Sequence, residues 1–447
     1  LESYFFMIEM YFKDSPKTTA KQWKQRVQFE LQGADYNDLL VHKSHEGIPL
    51  LPFYTSENKQ FTYEVNAEPK AMISLYCSNT EQTLKRINFW LSKNVNHFFI
   101  ALHFEKNNWS EFFSQLPENG VYFIDIQLLD LLFLQKINEL IQNCNREIFL
   151  CNDCIHKFLK KGKWFQNQKS DLELVINNVA DKNPVIFVDT TLYQNAGAGM
   201  IQQIAYGVSQ AMEYFKNICN KFIINELKIC FKVAVGDNFM FEISKMRAFR
   251  QVTESVFEKF GSNIKIFFIT ETSNRGLSIL KSKYNENYVS LAYESAILGG
   301  SDFVIPKNSV IYKKNTLENE VNNIEEIQKI IQNRKAVFLN GMYSFETISC
   351  EIAKKSLLLF QNIEKSGGLL EQVKNHTLQK KIKEKAQEEQ ILFEKQIEEM
   401  NIDFQCFASK EEWELYPFVK QKQEKTLVEP LIEKRLWEKI EKRQLKK

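Results

Sequence analysis

Residues 185–215 read VIFVDTTLYQNAGAGMIQQIAYGVSQAMEYF, a short apolar run that meets Asp189, then a polar turn, then a helical pattern. Apolar side chains recur at 201, 204, 205, 208, 211, 212 and 215, the three-and-four spacing that lines one face of an α-helix. Val185–Val188 is too short for a helix and unbroken in hydrophobicity, as a strand covered on both faces must be. Strand, turn and helix make one βα unit, and the turn at a strand exit is where α/β proteins place their chemistry. Its tip carries Tyr193, Gln194 and Asn195, side chains that hydrogen-bond but do not titrate near neutrality.

The same alternation extends on both sides. Strand-like runs fall at 71–76, 97–103, 121–126, 147–151, 185–189, 229–235, 264–270 and 302–305, with helical patterns between most of them. Eight short strands, each followed by a helix over roughly 250 residues, predict an α/β (β/α)8 TIM barrel; an open doubly wound sheet is the main competing arrangement. Ahead of the strands, Thr18 or Thr19 caps a helix with Trp23, Val27 and Leu31 on one face and Gly33 as its stop. After Gly367–Gly368 comes KKIKEKAQEEQILFEKQIEEM (380–400), a charged helix with a thin apolar seam at Ile382, Ala386, Leu392 and Ile397. Such a helix is expected on a surface or against a partner chain. The expected organisation is a disordered or wrongly assigned start over 1–16, with Met7 or Met10 the true initiator. An N-terminal segment over 17–70 packs on barrel or partner, the barrel spans 71–362, and a charged helical extension covers 363–447.

Hydrophobic residues are 44% and charged residues 26% of the 447, the balance of a folded chain with a sizeable core. A net charge of +2 gives no electrostatic reason to expect nucleic acid or an anionic membrane as a partner. No run approaches the ~20 apolar residues of a membrane span. Eight scattered cysteines suit reduced thiols in the cytoplasm.

Several local motifs compete with plainer readings. Gly197-Ala198-Gly199 opens a helix after a strand, yet Gln202 stands where a dinucleotide fingerprint needs its third glycine. The two glycines fit a tight turn and close helix packing instead. Cys151-Asn-Asp-Cys154, with His156, lacks the second Cys/His pair that zinc requires and reads as free thiols at a strand end. Among six histidines, His42 and His45 read as turn residues, His97 and His103 flank a strand, and His376 lies in the charged extension. Glu242, Lys245 and Arg247 follow a strand on one helix; they either pair along its face or serve a buried contact or interface. Thr272-Ser273-Asn274-Arg275-Gly276 follows the seventh strand, where barrels often bind phosphate, although a surface turn is the plainer reading.

Taken together these stretches resemble a known family. KTTAKQWKQRVQFELQGADYNDLLVHKSHEGIPLLPFYT (17–55) resembles the amino-terminal segment of the methylmalonyl-CoA mutases. VDTTLYQNAGAGMIQQIAYGVSQAMEYF (188–215) is similar to that family's fifth strand and following helix, and FKVAVGDNFMFEISKMRAFR (231–250) to its "Val-Gly-x-Asn-x-Phe-x-Glu-Ile-x-Lys-x-Arg-Ala" helix entry. Thr272-Ser273, Leu298-Gly299-Gly300 and Ile363-Glu364-Lys365-Ser366-Gly367-Gly368 follow in order. The resemblance implies a barrel threaded by acyl-CoA and capped by a flavodoxin-like domain carrying adenosylcobalamin, for the interconversion of methylmalonyl-CoA and succinyl-CoA.

Four departures qualify it. The cobalt-ligating Asp-x-His-x-x-Gly of the family's cobalamin domain occurs nowhere, and the charged residues after Gly368 leave too little chain for that domain. The "Arg-Gln-Tyr-Ala-Gly" segment before the first strand is missing, and Tyr288-Val289-Ser290-Leu291-Ala292 stands for "Arg-Thr-Thr-x-Glu". Gln194 replaces the histidine that follows the fifth-strand tyrosine. The resemblance is therefore to the small, non-catalytic subunit of heterodimeric mutases, and implies no catalytic, cofactor-binding or metal-binding residue on this chain. Tyr193, Gln194, Asn195, Thr272, Ser273 and Arg275 are the expected remnants of a substrate site. Adenosylcobalamin and acyl-CoA are expected on a large partner subunit. The alternative is a divergent acyl-CoA mutase barrel that is catalytic with a separately encoded cobalamin-binding chain.

Overall fold

Each predicted strand forms where the apolar run stands. The strands are β1 (Lys70–Ala71 and Ile73–Cys77, interrupted at Met72), β2 (His97–Leu102), β3 (Val121–Ile126) and β4 (Glu147–Leu150), then β5 (Val185–Asp189), β6 (Glu226–Val235), β7 (Asn263–Thr272) and β8 (Phe303–Ile305). A computed structural model of the chain describes residues 18–58, 62–102, 108–127, 131–179, 185–219, 226–260, 263–279, 282–334, 336–400, 413–418 and 425–445. The expectations for residues 1–16, for Met7 or Met10 as initiator and for His103 lie outside the described residues.

All eight strands run parallel, in the order β4-β3-β2-β1-β8-β7-β6-β5. The break at Met72 lets β1 serve two neighbours: Lys70 lies opposite Phe303 of β8, and Ile73 opposite Phe98 of β2. Met72 N donates to Val304 O at 3.0 Å across the break. Sequential order with the first strand beside the last is not the order of a doubly wound sheet, which reverses at a switch point. Among the described residues no ladder joins β4 to β5. There Asp153, just past β4, accepts instead from the Asp189 backbone N–H at 2.7 Å.

Alternation along the strands sorts side chains into two cores. Phe187 of β5 joins one cluster, and Ile186 and Val188 join the other. The first cluster takes a residue from every strand: Met72, Phe99, Phe123, Phe149, Phe187, Cys230, Ile269 and Phe303 among them. Rings meet within it across strands that are not ladder neighbours. Phe99 lies 5.9 Å from Phe187, and Phe123 lies 5.2 Å from Phe303. The second, larger cluster lies between strands and helices.

Among the helices that bear on the site are α1 (Ala20–Glu30), α2 (Thr191–Asn195), α3 (Met200–Cys219), α4 (Phe239–Phe257), α5 (Tyr343–Lys365), α6 (Thr377–Glu399) and α7 (Glu438–Gln444). Thr19 caps α1 in a capping box with Gln22, yet α1 buries no residue. Trp23 meets the Phe53 ring and Val27 and Leu31 are half-buried, but Trp23 is 39% and Phe29 79% exposed, so its apolar face is incompletely covered. The helical spacing read in 201–215 is borne out by α3, which buries Ile204, Ala205, Val208, Ala211, Met212 and Phe215. The charged stretch forms α6, whose Leu378 and Ile382 pack into the main core of this same chain rather than lying wholly on a surface.

Candidate functional site

The tip residues of 193–195 share one turn of α2 but face three ways. Tyr193 points into the interior, where its hydroxyl donates to Gln210 Oε1 at 2.6 Å. Gln210 in turn donates to both oxygens of Asp153 at 2.8 Å. That carboxylate also accepts from Tyr214 OH (2.8 Å), His156 N (2.8 Å) and Asp189 N (2.7 Å), which offsets the burial that pushes its pKa up. Burial likewise pushes the Tyr193 hydroxyl well above the usual tyrosine range. Tyr193 is thus held in a buried network behind the turn.

Gln194 is half-buried and aimed at the strand ends. Its amide donates to Glu242 Oε1 at 3.1 Å and its carbonyl accepts from Lys245 Nζ at 2.9 Å. Lys245 is fully buried; it also donates to Ala234 O at 2.8 Å and Gln203 Oε1 at 3.3 Å, and pairs with Glu242. Desolvation lowers its pKa despite that partner. The i,i+3 pairing and the buried-contact reading of this helix therefore both hold. Arg247 faces the other way, donating to Glu346 Oε1 of α5 at 2.7 Å and to Tyr63 O at 2.6 Å.

Asn195 faces the β7 exit. Its Oδ1 accepts from Ser273 Oγ at 2.9 Å and from Asn274 N at 3.0 Å, which fastens the two strand-end turns together. Thr272 is buried alongside, and among the described residues its hydroxyl has no hydrogen-bond partner. The expectation of a surface turn over Thr272–Gly276 fails here: Ser273 is fully buried and Arg275 is 6% exposed. The reason lies far along the chain. Arg275 donates to Glu389 of α6 at 2.7 Å and to Lys434 O at 2.7 Å, while Leu436 N donates to Arg275 O at 2.8 Å. Glu433 accepts from Asn195 Nδ2 at 3.2 Å and Lys160 Nζ at 2.8 Å, and Lys434 N donates to Asn195 O at 2.9 Å. The C-terminal segment thus lies across the turns that hold five of the six expected remnants. Arg435, locked on Glu441 at 2.9 and 2.7 Å, anchors it.

The glycines of 197–199 serve this cover. Gly197 has φ +98°, and a Cβ there would stand 2.4 Å from the Ala386 Cβ of α6. A Cβ on Gly199 would stand 2.7 Å from Glu46 Oε1, the atom that accepts from Met200 N at 2.7 Å at the start of α3. The helix N-terminus where a phosphate could bind is thus already held by the chain's own carboxylate. Between the 42–46 turn, α4 and α6 remains a cavity of about 860 Å³ whose walls include Gln194, Asp237, Phe241, Glu242, Tyr284 and Phe393. A second, of about 320 Å³, opens at the strand starts beside Lys70, His97, Glu147, Lys228 and Lys265. Between the two ends an ionic layer overlies the rings. Lys232 pairs with Glu271 at 2.9 Å and lies 3.8 Å from Asp189 and 5.2 Å from the Phe99 ring. Burial alone would raise the Asp189 carboxyl, but His156 and Lys232 outweigh it and hold the group at about 2.

Cys151 and Cys154 are buried and free, as read from their spacing. Among the described residues no group of three or more His, Cys, Asp or Glu could hold a metal ion, and no helix is long and apolar enough to cross a membrane. Sequence reasoning missed Asp153, Gln210, Glu389 and Glu433. Only Asp153, an N-cap residue directly after a strand, carried a local signal.

A family profile described as methylmalonyl-CoA mutase matches residues 145–443, well over half of the chain. Methylmalonyl-CoA mutase of Cereibacter sphaeroides is 22% identical over 264 residues, covering 55% of this chain and 37% of its own length. That of Rhizobium meliloti is 24% identical over 253 residues, covering 53% and 35%. The chain thus spans little more than a third of these relatives. The methylmalonyl-CoA mutase small subunit of Porphyromonas gingivalis is 19% identical over 428 residues, covering 84% of this chain and 67% of its own length.

Proposed function

The chain belongs to the methylmalonyl-CoA mutase family, and from that premise we propose that it is the small, non-catalytic subunit of a heterodimeric mutase. Its eight strands form a (β/α)8 barrel with a filled axis. The observation that carries the reading is the ring layer: Phe99, Phe123, Phe149, Phe187 and Phe303 converge from five strands, each no more than 8% exposed. An acyl-CoA threading the barrel, as the family's substrate does, would have to displace these rings from close packing. Cys230 and Ile269 fill the remaining sides.

The residues at the strand ends do not fit adenosylcobalamin on this chain. Where the family's cobalamin domain would cap the barrel, Ala386–Glu389 and Glu433–Leu436 already cover Gly197, Asn195 and Arg275. Gln194 supports the same reading. An amide can orient a thioester carbonyl but cannot supply the proton that a histidine would. We therefore place cofactor, acyl-CoA and turnover on a large partner subunit, with this chain stabilising that subunit in the cytoplasm and serving propanoate metabolism. The poorly covered α1, with Trp23 and Phe29 exposed, is a surface that such a partner would bury; an obligate interface of this kind covers upwards of about 2,000 Å².

Co-expression with the large subunit tests the proposal. The expected outcome is one-to-one copurification, all corrinoid on the partner, and mutase turnover by the complex only. Substantial turnover by this chain with free adenosylcobalamin, or with a separate cobalamin-binding chain, would sink it and favour the divergent-mutase alternative.

A further inference from the structure

The cavity of about 860 Å³ at the strand ends is not consumed by the subunit role, and its floor has a definite chemistry. Gly236 opens the turn after β6. A methyl group built on it would lie 3.2 Å from Glu242 Oε1, 3.3 Å from Tyr288 OH and 3.6 Å from Gln194 Nε2, so three polar groups converge on that point. Asp237 follows on the same wall. Its only hydrogen bond to another side chain comes from Tyr284 OH at 3.5 Å, and among the described residues no cation pairs with it. The other acids of the lining are committed: Glu242 to Lys245 and Gln194, Glu46 to Met200 N, Glu389 to Arg275, and Glu388 to Lys385 at 3.3 Å. Phe241, Tyr284, Tyr288 and Phe393 supply aromatic surface in the same lining as Asp237.

We propose that this cavity binds an organic ammonium ion, its charge set against Asp237 and its apolar body against the four rings. A site of this volume with mostly apolar walls and a few convergent polar groups suits a small molecule. An unpaired carboxylate beside aromatic faces selects a positive charge, because ring quadrupole and carboxylate attract the same sign. Burial and the neighbouring Glu242 both push the Asp237 carboxyl up, and an ammonium partner would relieve that cost. The cation is organic rather than metallic, since no metal-ligating group of three exists among the described residues. The proposal does not depend on the subunit reading: a structural subunit and a divergent enzyme would equally hold the site.

Isothermal titration of the full chain with benzyltrimethylammonium, against the neutral benzyl alcohol, tests it. The expected result is saturable one-to-one binding of the cation and at least about tenfold weaker binding of the alcohol, a comparison that requires no variant. Asp237→Asn should weaken the cation about tenfold and leave the alcohol unchanged. Phe393→Leu, which keeps apolar bulk but removes a ring, should weaken it several-fold. Trp437, 5.8 Å from Tyr284 and 5.1 Å from Phe393, provides a fluorescence readout beside the wall. Equal affinity for cation and alcohol, absence of saturable binding, or undiminished binding in folded Asp237→Asn would each overturn the proposal.

Discussion

Lys245 is a fully buried cation surrounded by acceptors on four elements: Gln194 at the α2 tip, Gln203 on α3, Ala234 O at the end of β6, and Glu242 on its own helix. Lys245→Met would leave Glu242 buried without its counter-ion, and chemical denaturation should show a loss of about 3–5 kcal/mol. His97 makes a prediction of opposite character. Burial, then the charge of Lys70, hold its pKa down at about 4 from the ordinary 6.5. Between those values the unfolded chain binds a proton that the folded chain refuses, so stability falls as pH drops from about 6.5 to 4. After allowance for solvent screening at the strand edge, the loss is roughly 2 kcal/mol. His97→Phe should flatten that limb in denaturation curves recorded at successive pH values; an unchanged slope would refute the assignment. The residue types at the tip were legible, but not their directions. Tyr193, Gln194 and Asn195 are adjacent in sequence, yet helical rotation sends each toward a different set of partners.

At the level of elements, the C-terminal cover carries the sharpest consequence. Gly197 combines φ +98° with a 2.4 Å clash for any added Cβ against Ala386, so Gly197→Ala meets backbone strain and displaces α6 together. A destabilisation of about 2–3 kcal/mol is expected, with faster amide exchange in α6 and in 433–436. Glu433→Ala should raise exchange in α2, because it frees Asn195 and Lys160 at once. Unaltered protection in α2 would mean that the segment does not hold the turn. Strand and helix positions came almost entirely from local pattern. The role of α6 did not, because its apolar seam says that one side is covered and not by what. Thr272–Gly276 was misread for the same reason: its polar composition suits water, and a segment more than 150 residues away excludes water from it.

Across the whole molecule, the cluster of Phe99, Phe123, Phe149, Phe187 and Phe303 is the feature on which stability and the proposed function both rest. Phe187→Ala would remove a ring that meets Phe99 across the strand cluster. The expected cost is about 3–5 kcal/mol in chemical denaturation, with no gain of mutase turnover by the lone chain. A near-neutral substitution would show that the rings are loosely packed and the axis open. Sequence by itself determined the eight strands, their parallel βα rhythm, the absence of a dinucleotide fingerprint and the family, since each depends on spacing within some twenty residues or on motifs in linear order. Tertiary structure alone decided that Tyr193 lies behind the turn, that Asp153 bridges β4 and β5, and that the chain's own C-terminus covers the strand ends. Those outcomes rest on contacts between distant segments, whose energies depend on which surfaces finally meet and leave no periodic trace in either segment.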